Sequence, residues 1–183
     1  VTGRSGTVAP RFAAAAQAVG HEVVAWRRDR VSPDDSGACA GFLDSVAPDA
    51  VVHMAFGDPA WAGQLAGHCA RDGLPFLFTS TTMVFAQRPD GPYTIHSPRT
   101  ATDDYGAYKI RCEDAIWAAN PNAMVARLGY QIDPGGLGNN MIAHLDAQAR
   151  TDGVVRASRR WIPATAFLDD TAHALLRLVI DPQ

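Results

Sequence analysis

Tyr105 and Lys109, four residues apart, carry the clearest chemistry in this sequence. On a helix that spacing sets both side chains on one face, one turn apart. A phenol ordinarily ionises near about pH 10, and a neighbouring ammonium favours the phenolate, lowering that value. Such a pair suits proton transfer to or from a carbonyl or alcohol oxygen. Lys109 is also the only lysine among 16 basic residues. In a chain that otherwise uses arginine, the retained lysine argues that a compact, three-donor ammonium is needed there. The acids are equally lopsided: of 19, all are aspartate except Glu22 and Glu113.

Ser80, Thr81 and Thr82 follow an apolar run over 74–79 that reads as a strand. In a parallel sheet the carboxyl ends of the strands line the ligand crevice. A hydroxyl there is placed to hydrogen-bond a reacting oxygen.

Near the start of the chain, Gly3-Arg4-Ser5-Gly6-Thr7-Val8-Ala9 forms a small-residue turn that leads into a helix. Gly3 suits the tight turn, Gly6 allows a pyrophosphate close to the backbone at the helix N-terminus, and Ala9 permits close helix–strand packing. With Ser5 between them, these residues are candidate cofactor contacts. Arg27 and Arg28 follow the second apolar run, where a carboxylate would suit a ribose with both hydroxyls free. Arginines suit a 2′-phosphate instead, so NADP(H) is expected in preference to NAD(H). Ala55 ends the buried run 50–55 and is placed on the cofactor side. Phe56 follows it at the crevice mouth, where Phe56 and Thr82 are candidate substrate contacts.

The elements that must position these groups alternate. Helices are expected over 10–19, around 37–46, and over 60–71, 104–119, 141–150 and 169–179. Strands are expected over 22–26, 50–55, 74–79 and 123–128. Strands of buried composition separated by helices indicate a doubly wound α/β fold with a parallel sheet covered on both faces. Only Val1 and Thr2 precede the glycine turn, so the first strand is expected to be represented by its last residue. Residues 1–130 read as a Rossmann-type dinucleotide-binding domain, and 131–183 as a small, incomplete substrate-binding portion.

Composition narrows the function further. A formal net charge of -3 leaves no broad basic surface for nucleic acid. No apolar stretch approaches the roughly 20 residues of a membrane span, and no signal-peptide pattern is seen. Cys39, Cys69 and Cys112 are scattered, which argues against a disulfide framework and for a reducing cytoplasm. The six histidines have no metal-ligand spacing, so no metal is expected. His53 reads as a core residue, and His96 as a residue of the pocket-side loop. Abundant alanine, arginine and aspartate suggest a GC-rich, bacterial source.

Together, the glycine turn, Ser80-Thr81-Thr82-Met83-Val84-Phe85 and Tyr105-Gly106-Ala107-Tyr108-Lys109 resemble the extended short-chain dehydrogenase/reductases, and among them the dTDP-4-dehydrorhamnose reductase group within the NAD-dependent epimerase/dehydratases. That group carries a Ser-Thr-Asp-Tyr-Val-Phe run about two dozen residues before its Tyr-Gly-x-x-Lys; here Thr82-Met83 stand in place of the Asp-Tyr, and Thr81 precedes Tyr105 by 24 residues. Gly91-Pro92-Tyr93-Thr94, Trp161-Ile162-Pro163 and Asp169-Asp170 also resemble stretches of that family.

The resemblance implies a catalytic triad of Thr81, Tyr105 and Lys109. Tyr105 would protonate the sugar C4 oxygen, Thr81 would hydrogen-bond it, and Lys109 would lower the Tyr105 pKa and hold the nicotinamide ribose. The substrate implied is a nucleotide-linked 4-keto sugar reduced by NADPH. Asn140 and Arg160 match places where the family meets its substrate; Arg160 would face a diphosphate and Trp161 would stack on a base. Dehydration is disfavoured, because Thr82-Met83 replace the acids that dehydratases carry after the threonine. An epimerase that retains its NAD, and a dinucleotide-sensing regulatory protein without turnover, remain as alternatives. A homodimer through the 104–119 helix is an expectation from the superfamily.

Overall fold

A computed structural model describes residues 1–85, 91–135, 141–159 and 162–181. In chain order its elements are α1 (Val8–Ala18), α2 (Ser36–Val46), β1 (Val51–His53), α3 (Pro59–Asp72), β2 (Phe76–Thr81), a 3-10 turn (Thr82–Val84), α4 (Asp104–Ala119), β3 (Met124–Leu128), β4 (Tyr130–Ile132), α5 (Met141–Asp152), β5 (Thr165–Phe167) and α6 (Leu168–Ile180). Strands β1, β2 and β3 form a parallel sheet in that order, with Val52 opposite Leu77 and Phe78 opposite Val125.

Strand β2 is buried along its whole length, and its alternation sorts the core into two layers. Phe76 and Phe78 pack with Trp61, Leu65, Cys112 and Ile116 on the face covered by α3 and α4. Leu77 packs with Phe12, Ala16, Leu175 and Leu176 on the face covered by α1 and α6. Helices on both faces of a parallel sheet are the doubly wound α/β arrangement. The helix α6, expected within the C-terminal portion, thus shares a core with α1 and the sheet.

The hydrogen bonding extends the sheet beyond β1. Thr2 N donates to Val52 O at 3.0 Å, Trp26 N donates to Val1 O at 2.8 Å, and Val1 N donates to Val24 O at 2.8 Å. Residues 1–2 therefore stand between β1 and the segment 22–26. That segment, expected as a strand, hydrogen-bonds Val1 and, among the described residues, forms no regular ladder.

Helix α4 occupies the expected 104–119, capped by Asp103, whose carboxylate accepts from Gly106 N at 2.8 Å. Strand β2 begins two residues later than expected and includes Ser80 and Thr81, so both belong to the rigid sheet. The small parallel sheet of β4 and β5 was not anticipated, because three-residue strands are too short to show a period.

A cavity of about 640 Å³ lies at the amino ends of the strands, lined by Val23, Val51, Pro75, Leu176 and Ile180 among others; Tyr105 and Lys109 are not part of it. Among the described residues no helix is long and apolar enough to cross a membrane.

Candidate active site

The carboxyl ends of the strands gather the groups that the sequence singled out. Gly3 has φ +80°, and a Cβ there would lie 2.8 Å from the Met54 carbonyl. Only glycine satisfies both the backbone angle and this approach. Gly6 N donates to Gly3 O at 2.8 Å, closing the turn, and Thr7 enters α1 without a side-chain cap. Arg4, Ser5 and Gly6 are exposed. The first N–H groups of α1, left without a side-chain cap beside an open glycine turn, fit a pyrophosphate.

Arg27 and Arg28, adjacent in sequence, have different surroundings. Arg27 is engaged by Asp29, with Nη2 and Nε donating at 2.7 and 3.3 Å. Those bonds and the charge of Asp29 raise the Arg27 pKa above its ordinary value. Arg28 lies over the Trp61 ring, 5.2 Å from its centroid and beside Gly57, and pairs with no acid among the described residues. Of the two, Arg28 is the arginine not already neutralised by a neighbouring carboxylate.

Ala55 is buried, and its N–H donates to Thr2 Oγ1 at 3.0 Å. The same oxygen accepts from Met54 N, so its own hydrogen is directed to Nδ1 of the buried His53 at 2.9 Å. Burial holds His53 neutral, with its pKa lowered to about 3, a core histidine as expected. His96 is exposed in its loop.

On the other side of the crevice, Thr81 ends β2. Its hydroxyl oxygen accepts from Met83 N at 3.2 Å, which opens the short turn containing Thr82. That contact uses a lone pair and leaves the hydroxyl hydrogen free for another acceptor. Helix α4 approaches this turn closely at Gly106, where a Cβ would collide with the Met83 carbonyl and the Ala101 side chain. Glycine at 106 is what allows Tyr105 and Lys109 to sit against the end of β2.

Lys109 is buried, and its Nζ donates to the Thr79 carbonyl at 2.9 Å. It lies 4.5 Å from the Phe78 ring centroid and 5.9 Å from that of Tyr105. Burial lowers the Lys109 pKa to about 8, against the opposing pull of Cys112 and Glu113. Tyr105, 41% exposed, faces the crevice mouth. Its phenol is raised above the usual value by burial, with Cys112 adding in the same direction. This corrects the expectation of a Tyr105 pKa lowered by Lys109: in this structure the ammonium is turned toward the Thr79 carbonyl, and desolvation dominates the phenol.

Phe56 is exposed and stacks on Tyr108 at 4.1 Å between centroids, with Tyr105 parallel to it at 6.5 Å. The role of Tyr108 was not foreseen. Its hydroxyl donates to Gly57 O at 2.8 Å and accepts from Gly57 N at 3.0 Å, clamping the loop after β1 to α4. The partners of Glu113 were also unforeseen; its only signal was being one of two glutamates. Asn140, Arg160 and Trp161 lie outside the described residues.

A parallel sheet wrapped by helices, with a glycine turn opening α1 and hydroxyl, phenol and ammonium groups at the strand ends, defines a Rossmann-type α/β protein. More narrowly, the chain belongs to the family described as the RmlD substrate binding domain, which matches residues 1–179. It is 28% identical over 194 residues to a dTDP-4-dehydrorhamnose reductase of Mycolicibacterium smegmatis, an alignment covering 98% of this chain and 59% of that protein. Among solved structures, it resembles a dTDP-4-dehydrorhamnose reductase from Clostridium acetobutylicum with a TM-score of 0.84 and 17% identity, over 98% of this chain and 69% of that one. The corresponding enzyme from Bacillus anthracis, solved in complex with NADP, gives a TM-score of 0.77 at 14% identity, over 98% and 69%.

Proposed function

We propose that this chain carries the cofactor site and the proton-transfer groups of an NADPH-dependent reductase of nucleotide-linked 4-keto sugars. The observation that carries the reading is the buried Lys109, held by the Thr79 carbonyl beneath the half-exposed Tyr105 and two residues from Thr81. Membership in the RmlD family and the names of the relatives support the substrate class.

Gly3, Ser5 and Gly6 would hold the pyrophosphate at the start of α1, Ala55 would border the dinucleotide, and Arg28, with Arg27 behind it, would face a 2′-phosphate. When bound, the dinucleotide supplies a hydride to the sugar C4 carbon. Thr81 donates its free hydroxyl hydrogen to the ketone oxygen and stabilises the charge that builds there. Tyr105 gives its phenolic proton to the same oxygen, completing the alcohol. Lys109, charged below about pH 8 and 5.9 Å from the Tyr105 ring centroid, would offset part of the phenolate charge that forms on Tyr105, against the burial that raises the resting phenol, and would hold the nicotinamide ribose. The segment from 131 onward, with Phe56 and Thr82 at the mouth, would meet the sugar nucleotide.

The test is NADPH oxidation by the full-length protein across a panel of nucleotide-linked 4-keto sugars, with Tyr105→Phe in parallel. Turnover lost in the variant, with NADPH still bound, is the expected result. Turnover by the variant equal to the wild type would sink the mechanism. NAD retained through purification, without NADPH-dependent reduction, would favour an epimerase.

A further inference from the structure

Beneath the candidate site lies a buried charge that this reaction scheme does not use. Glu113 sits one turn beyond Lys109 on the sheet-facing side of α4 and has no exposed surface. Its Oε1 accepts from Ser80 Oγ and from Arg127 Nε at 3.1 Å. Its Oε2 accepts from Arg127 Nη2 at 2.8 Å and from Arg99 Nη1 at 3.2 Å. Four donors fill the carboxylate, which leaves it no lone pair for proton exchange with a substrate.

The donors come from three other parts of the chain. Ser80 belongs to β2, Arg127 to β3, and Arg99 to the loop 91–103 that leads into α4. Arg99 also bonds Asp114 at 2.7 Å and lies over Trp117, so that loop is fastened to α4 twice. Successive β2 residues thereby meet successive turns of α4: Thr79 accepts from Lys109, and Ser80 donates to Glu113. Thr81 follows directly.

We propose that Glu113 is a positioning residue, whose carboxylate locks α4 to β2, β3 and the 91–103 loop so that Tyr105 and Lys109 stay in register with Thr81. This rests on the reductase reading above. The choice of residue agrees with it: the acids of this chain are otherwise almost all aspartate, and the buried position takes the longer glutamate. An aspartate is one methylene shorter and does not span the helix–sheet gap to all four donors. A misplacement of about 1 Å in such a site costs up to about 100-fold in rate.

The charge of Glu113 also acts on Lys109. The groups facing that ammonium are Tyr105, Tyr108, Cys112 and Glu113 from α4, His53 from β1 and the Thr79 carbonyl from β2, while Asp58 at the start of α3 acts on Cys112. Glu113 raises the Lys109 pKa against the burial that lowers it. Removing its charge leaves Arg99, Arg127 and Lys109 without a buried counter-ion and moves the Lys109 pKa further down.

The experiment compares the full-length wild type with Glu113→Gln, Glu113→Asp and Ser80→Ala, measuring kcat, the NADPH KM, the pH profile and Tm. Both Glu113 variants are expected to lose about 10- to 100-fold in kcat, with the NADPH KM within about threefold. The alkaline midpoint of kcat should fall by about one unit in Glu113→Gln and stay in place in Glu113→Asp, which keeps the charge. Should Glu113→Gln not fold, Ser80→Ala carries the test, since it removes one arm and leaves the Glu113–Arg127 pair. Its kcat should fall about fivefold with a modest loss of Tm, since the buried carboxylate loses one of its donors. Wild-type kcat in both Glu113→Asp and Ser80→Ala would overturn the positioning role while the reductase reading stood. No turnover by the wild type would remove that reading, and this proposal with it.

Discussion

The Lys109 ammonium donates to the Thr79 carbonyl at 2.9 Å, joining the helix that carries Tyr105 to the strand that ends in Thr81. A backbone acceptor on a central strand is a fixed point, so the lysine is held by the sheet itself. The ammonium is aimed at that carbonyl, and burial keeps the Tyr105 phenol above its usual pKa. The candidate site is thus assembled from two elements, α4 with Tyr105 and Lys109 and β2 with Thr81, whose relative placement is set by packing.

Thr81 is expected to matter through its hydroxyl hydrogen, because its oxygen already accepts from Met83 N. Thr81→Val should lower kcat by about 100-fold, the effect of losing one donor to a developing oxyanion. Thr81→Ser keeps the donor and should stay within about threefold. Steady-state kinetics of the two variants checks this; a loss in Thr81→Ser with none in Thr81→Val would show that the methyl group, not the hydroxyl, is what counts.

Lys109 is expected to set an alkaline limit on turnover. Its folded pKa, lowered by burial to about 8, divides a charged form below from a neutral form above. The neutral amine does not stabilise a Tyr105 phenolate, so kcat should fall as pH rises through about 8. A profile flat to pH 10 would mean that the charge on Lys109 is not needed.

Cofactor preference should depend more on Arg28 than on Arg27, since Asp29 already engages Arg27. Arg28→Ala is expected to narrow the NADPH-to-NADH affinity ratio by about tenfold, the scale of one charge-assisted contact. Arg27→Ala should change it by less than about threefold. Fluorescence titration with both dinucleotides decides, and the reverse ranking would make Arg27 the reader of the 2′-phosphate.

Gly106→Ala should damage both stability and rate. Its Cβ would meet the Met83 carbonyl and the Ala101 side chain, neither of which can move without shifting the end of β2 or the start of α4. Overpacking of this kind costs about 1–3 kcal/mol, or about 2–10 °C in Tm for a chain of this size. A kcat loss beyond tenfold should accompany it. Unchanged Tm and kcat would show that the approach of helix to turn has slack.

The order of the main elements and the residue types at the strand ends are legible in the residues alone. Asn120-Pro121 behind α4 marked the end of that helix as a local signal, since proline geometry acts within a few residues. The spacing of Gly3 and Gly6 and of Tyr105 and Lys109, and the uniqueness of Lys109, are likewise local or compositional facts. Which groups neutralise one another follows instead from how the elements pack. Glu113 meets Ser80 from 33 residues away, Tyr108 meets Gly57 from 51, and Lys109 turns to Thr79 from 30. Adjacent Arg27 and Arg28 likewise part company, one toward Asp29 and the other over Trp61. No period or motif encodes those pairings. They arise when helices close on a sheet and buried polar groups must find partners where water is excluded.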